Sequence, residues 1–183
     1  MSRRQTIPTT YLLVDGYNII HAWDELRHIM ETSTLEDARD RLIRILANYQ
    51  GGKGFAGGSV IVVFDAHKVK DGTGSVMLLG GVSVVYTAEA ETADHYIERT
   101  AAVYVKNRSV VTVATSDSLE QVIIMGKGAY RMSARELWED VQAADKEVRD
   151  RIGGRRPVKN NQLLEHLDPQ VLDWFEAMRR KSR

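Results

Sequence analysis

The sequence predicts an α/β fold, with a central, mostly parallel sheet flanked by helices and a helical tail behind it. Tyr11-Leu12-Leu13-Val14, Ser59-Val60-Ile61-Val62-Val63-Phe64 and Val110-Val111-Thr112-Val113-Ala114 are apolar runs of strand length. Unbroken apolar runs suit strands covered on both faces, as in a parallel sheet, rather than strands wetted on alternate residues. Segments of helical periodicity separate them, and strand alternating with helix gives parallel pairing through right-handed crossovers. The runs also end alike, on Asp15, on Asp65 and, through Thr115-Ser116, on Asp117.

Taken in order, the first strand delivers Asp15 to the sheet edge outside which ligands bind in open α/β folds. A short helix is expected over His21–Met30. Ser33 and Thr34 then offer caps for a stronger helix in which Leu35, Ala38, Leu42, Ile45, Leu46 and Tyr49 recur at three- and four-residue steps;. Gly51-Gly52-Lys53-Gly54 ends it as a plain turn, because it follows a helix and lacks the Gly-Lys-Ser/Thr ending of a phosphate loop. After the strand ending at Asp65, residues 66–81 read as a mobile excursion across the crevice rim. Val82–Thr87 is the next strand. It leads into a helix over Thr92–Asn107 whose inner stripe is Ile97, Ala101, Tyr104 and Val105, with Glu91, Asp94 and Glu98 grouped at its start. Leu119, Val122, Ile123 and Met125 mark a helix ended near Gly126 or Gly128, and Ala129–Met132 a short last strand. Ser133-Ala134-Arg135-Glu136 is a capping box opening another helix. Gly153-Gly154-Arg155-Arg156-Pro157 is expected to break the chain, and Asp168-Pro169 to start a terminal helix.

The chain of 183 residues is long enough to bury roughly 70% of its unfolded surface in one core;. It has no Cys, which removes disulfides and thiolate metal sites and fits a cytoplasmic home;. The apolar run behind the basic amino terminus is too short for a signal-peptide core, and no stretch has the length of a membrane span. Lys plus Arg and Asp plus Glu balance at 25 each, so net charge makes no case for nucleic acid. Local charge does: Arg149, Arg151, Arg155, Arg156 and Lys159 form a basic stretch that can hold phosphates, although a solvated tail explains the last residues as well.

Each acidic residue has a structural reading beside a chemical one. Asp15-Gly16 can be a turn, Asp65 a strand terminator, Asp94 a complement to a helix dipole, and Asp117 an N-cap with Glu120 three residues on. Independent caps have no reason to converge at one edge, whereas carboxylates that do converge need a cation or protons to neutralise them. Hard oxygen ligands without Cys favour Mg²⁺ or Mn²⁺. Such a metal polarises a phosphoryl oxygen and acidifies water, so phosphodiester hydrolysis is the chemistry these residues suggest. His67 can join such a site but as a lone loop His is assigned no role. Tyr17 and Trp23 can stack on bases, with buried packing the default.

Leu13-Val14-Asp15-Gly16-Tyr17-Asn18, Phe64-Asp65-Ala66-His67, Glu91-Thr92-Ala93-Asp94, Ala114-Thr115-Ser116-Asp117 and Arg131-Met132-Ser133-Ala134-Arg135-Glu136-Leu137 resemble, in order, the motifs of the NYN-domain proteins, YacP-like branch. The match covers most of residues 11–148. The resemblance implies a PIN-like three-layer fold over residues 8–152, with a basic linker and helical extension over 153–183. It implies a metal-dependent endoribonuclease in which Asp15, Asp94 and Asp117 bind the metal. Asn18 then orients Asp15 or the scissile phosphate, and Ser116 and Glu91 support the metal shell. Asp65 shapes the site. Arg131 and Arg135 are expected to contact phosphate from the core, joined by Arg155 and Arg156. The branch includes a bacterial ribosome-associated endoribonuclease, so the implied partners are mRNA and the ribosome. The oligomeric state stays open.

A phosphatase with a nucleophilic Asp15 would want a second Asp where Tyr17 stands, and a phospho-receiver would want an acidic pair at the first strand. An RNA or ribosome adaptor on the same fold is the stronger alternative, since folds outlive their chemistry.

Overall fold

The computed structural model describes residues 9–52, 55, 57–65 and 74–154. The sequence forms β1 (Thr10–Asp15), α1 (Gly16–Ala22), α2 (Asp24–Thr32), α3 (Leu35–Gly51), β2 (Ser59–Phe64), β3 (Val76–Leu79), β4 (Val82–Tyr86), α4 (Ala93–Lys106), β5 (Val110–Ala114), α5 (Ser118–Gly126), β6 (Tyr130–Met132) and α6 (Ala134–Gly154). The strands make one sheet of order β3-β4-β2-β1-β5-β6, parallel except for β3 against β4. By contacts the chain divides into Met1–Val148, which carries this sheet, and Arg149–Arg183.

Both faces of the sheet are covered, which is why its central strands are apolar without alternation. Leu12 and Val14 point into one core with residues of α1, α2, α3 and α6, while Leu13 joins a second core with Ile97 and Ala101 of α4 and Ile124 of α5. A one-residue slip of β1 would exchange these faces, so packing on both sides fixes the register Val14↔Val62 and Val14↔Ala114;. Sequential crossovers fill the sheet from β1 towards β4 and then return to β5 on β1's other side. The reversal opens a crevice beyond the carboxyl ends of β1 and β5.

Two expected elements differ. The helix expected over His21–Met30 is two helices, α1 starting at Gly16 and α2 at Asp24, with extended backbone at Trp23 (φ −91°, ψ 122°) between them. The Trp23 indole N–H donates to the Ala134 carbonyl at 2.8 Å, and this buried tertiary bond holds the break in place. The excursion expected over 66–81 contains strand β3, which forms a hairpin with β4 through Gly80-Gly81. Both glycines have positive φ, 58° and 91°, the two-residue turn geometry that matches strand twist and that glycine adopts without penalty;. Residues 66–73, with His67, lie outside the described residues, as does the terminal helix expected from Asp168.

Thr34 caps α3 and Thr92 caps α4 through their side-chain oxygens. Ser133 and Glu136 bond reciprocally at the start of α6, the expected capping box;. Gly153 and Gly154, expected to break the chain, are the last residues of that helix. Among the described residues no helix is long and apolar enough to cross a membrane.

Candidate active site and metal centre

Three helices begin at the crevice, each with an acidic residue at its start. Asp15 is the N-cap of α1, its Oδ1 accepting the Asn18 N–H at 3.1 Å. Asp94 occupies the first turn of α4. Asp117 is the N-cap of α5, one oxygen accepting the N–H groups of Leu119 and Glu120 at 2.7 and 3.2 Å. Each of these three helices directly follows a parallel strand and so begins at the carboxyl edge of the sheet, and the partial positive charge of a helix N-terminus favours a carboxylate. Capping and convergence are therefore two results of one topology.

Glu120 was not anticipated as a site residue. It lies one turn into α5, 4% exposed, and both carboxylate oxygens are buried without a hydrogen bond among the described residues. Carboxylate oxygens of Asp15, Asp94 and Glu120 come within 4.8 Å of one another. Burial is the main force on Glu120, with the charges of Asp15, Asp94 and Asp117 adding to it, and together they push its pKa up to about 7. The nearby Thr115 hydroxyl opposes this but does not reach either oxygen with good hydrogen-bond geometry. Asp94 is also raised, first by desolvation at the cleft and then by Asp117, although its side chain still reaches solvent.

An orphaned buried carboxylate beside two others fits a cation. The donor set is all oxygen, which suits Mg²⁺ or Mn²⁺ better than softer ions. The adjoining cleft, about 310 Å³, is lined by Asp15, Asp65, Asp94, Asn18, Tyr17 and His21 among others. Asp65 thus shares the cleft, and Asp117 stands at its side as a cap whose charge reaches Asp94 and Glu120. Tyr17 is buried, packed edge-on to Phe64 with its hydroxyl 3.0 Å from Arg39. Gly16 is required by this packing, since a Cβ there would overlap the Phe64 ring.

Residues 12–180 match the YacP-like NYN domain family. The chain belongs to the YacP-like NYN family. It is 42% identical over 172 residues to the uncharacterized protein YacP of Bacillus subtilis (strain 168), spanning 92% of this chain and 96% of that one. The crystal structure of Rae1 (YacP) from Bacillus subtilis matches with TM-score 0.67 at 40% identity, over 94% of this chain and 95% of that one. A mutant of the same protein matches with TM-score 0.64 at 37% identity, over 93% and 99%. Membership supports a nuclease-type, RNA-related function.

In this YacP-like NYN domain, Asn18 ties two strand ends together. Its Oδ1 accepts the Ser116 N–H at 2.7 Å and the Ser116 hydroxyl, so the β1–α1 junction is bonded to the β5–α5 loop. Glu91 is turned to Arg99, with N to O 2.7 Å, on the outer side of α4. Arg131 pairs with Glu136 at 3.1 Å and Arg135 with Glu139 at 2.8 Å, both pairs open to solvent. Arg155 and Arg156 lie outside the described residues.

Proposed function

We propose that this protein is a metal-dependent endoribonuclease that hydrolyses RNA phosphodiester bonds, with mRNA on the ribosome as its working substrate. The observation that carries the reading is the buried, hydrogen-bond-free carboxylate of Glu120 beside Asp15 and Asp94. Such a group is costly unless a cation or a proton neutralises it.

Asp15, Asp94 and Glu120 would hold Mg²⁺ or Mn²⁺, with Asp117 adding negative potential from its place at the start of α5. A divalent ion bound there supplies polarisation of a phosphoryl oxygen and a more acidic water. Glu120, with its pKa near neutrality, can hold a proton in the metal-free chain and release it when a cation arrives;. Asn18 keeps Asp15 and the Ser116 loop in fixed relation, so the acidic groups need not reorganise when substrate binds;. Arg131 and Arg135 sit in exchangeable surface ion pairs, and their guanidinium groups are positioned to trade a carboxylate for a backbone phosphate;. Asp65 lines the cleft and shapes it, and Arg155 and Arg156 supply further positive charge for the RNA backbone;.

The test compares wild type with Asp94→Asn on an mRNA, as naked RNA with Mg²⁺ or Mn²⁺ and separately during translation. Cleavage by wild type alone supports the reading, and the condition that permits it decides whether the ribosome is required. No cleavage in either setting, with RNA or ribosome binding intact, replaces the nuclease with an adaptor.

A further inference from the structure

A second cavity, about 460 Å³, adjoins the acidic cleft through the bonded pair Asn18 and Ser116. Trp23 and Trp138 line it, edge to face with ring centres 4.8 Å apart, together with Ser116, Gln121 and Arg135. We infer that this cavity receives one nucleobase of the RNA strand whose neighbouring phosphate lies in the acidic cleft. The inference rests on the nuclease reading for its substrate class.

Several observations converge on that occupant. Ser116 belongs to this cavity and is bonded to Asn18, which lines the acidic cleft, so the two sites share a wall and suit adjacent parts of one strand. Trp138 is partly exposed and gives the cavity its indole surface, with the buried Trp23 packed against it; indole stacks on any base, and single-stranded RNA is commonly held this way. The wall is set before binding, because the Trp23 N–H is committed to the Ala134 carbonyl and cannot swing away. Polar groups stand at the edge of the aromatic surface: Gln121 donates to the Thr115 carbonyl at 2.8 Å, which leaves its own amide oxygen to accept from a base, and Arg135, in an exposed pair with Glu139, borders the cavity. Two carboxylates also border the cavity, and neither opposes the strand as a lone charge. Asp24 is paired with Arg27, and Glu25 with Arg41 at 2.7 Å. The volume lies within the range of small-ligand pockets and admits a purine or a pyrimidine.

The experiment uses the full chain carrying Asp94→Asn, so that RNA is bound and not cut, and reads affinity from tryptophan fluorescence. Short single-stranded RNAs carry one abasic residue walked through successive positions. The expected result is a loss of about tenfold at one position, the size of one base stacked on an aromatic side chain, and little loss elsewhere. Adding Trp138→Leu should weaken the intact RNA by a similar factor and erase the position dependence. The scan needs no cavity variant, and Gln121→Ala serves if Trp138→Leu does not fold. Equal losses at every position, a position dependence that survives the Trp138 change, or no RNA binding at all would overturn the inference. So would AMP or UMP binding as tightly as the strand, which would mark a free-nucleotide site. Wild-type cleavage run in parallel separates the two claims: cleavage without the abasic signature retires the cavity alone, and the signature without cleavage retires the nuclease alone.

Discussion

Replacing Glu120 by Gln should stabilise the metal-free protein, and the gain should depend on pH. A carboxyl group whose pKa is higher in the folded than in the unfolded chain keeps its proton longer when folded. Stability therefore falls as pH rises from about 4.5 to about 7 and levels off above that window;. At about 1.4 kcal/mol per pH unit, the gap between 4.5 and about 7 corresponds to roughly 3 kcal/mol;. Gln keeps the size of the protonated acid and never ionises. The advantage of Glu120→Gln over wild type in a chelator is then under about 1 kcal/mol at pH 5 and about 3 kcal/mol at pH 8. For a chain of this length that is roughly 10 °C in Tm at the higher pH. Urea and thermal unfolding of both proteins at the two pH values measures it, and carboxylates titrating alike in both cancel from the comparison. Mn²⁺ should then reverse the order, because wild type, with all three carboxylates, gains more binding energy than the variant;. A stability difference that is the same at pH 5 and pH 8 would mean that folding does not raise the pKa of Glu120, and the buried-acid reading would fall.

Mn²⁺ binding at pH 6 should release about one proton per site, seen calorimetrically as a binding heat that changes with the ionisation heat of the buffer, and Glu120→Gln should lose that dependence. Asp117→Ala should cost about 1 kcal/mol through the lost α5 cap, while Asp117→Ser keeps the cap and most of the stability; both should lower RNA cleavage, because both remove the charge beside Asp94. Gly16→Ala should destabilise the fold by about 1–3 kcal/mol as the added Cβ pushes on the buried Phe64 ring, measured by urea unfolding at unchanged m-value;.

Strand ends were the legible part of the site. A parallel strand buried on both faces must be apolar throughout, so its first carboxylate marks the sheet edge, and Asp15, Asp65 and Asp117 could be placed without coordinates. Asp94 was legible because the apolar stripe Ile97, Ala101, Tyr104 and Val105 shows that a helix begins beside it; in the structure Thr92 caps that start. Glu120 was not, because an acid three residues after a cap is what a capping box looks like, and its burial is set by the packing of α5 onto the sheet. One signal was available: Glu120 lies four residues before Ile124, the other buried residue of α5, and so on the inward side of the helix. Strand β3 was hidden by glycines read as loop, although Gly80-Gly81 between apolar runs is a hairpin signal. The break at Trp23 depends on a bond to Ala134, far along the chain, and no local pattern announces it.

Cleavage of a defined RNA by wild type, Asp94→Asn and Glu120→Gln, with Mn²⁺ and with a chelator, is the measurement that decides whether the acidic cleft is a metal-dependent nuclease site. Wild type should cut with metal only, and neither variant should cut while both remain folded. Cutting in the chelator, or cutting undiminished by loss of both carboxylates in turn, would contradict it.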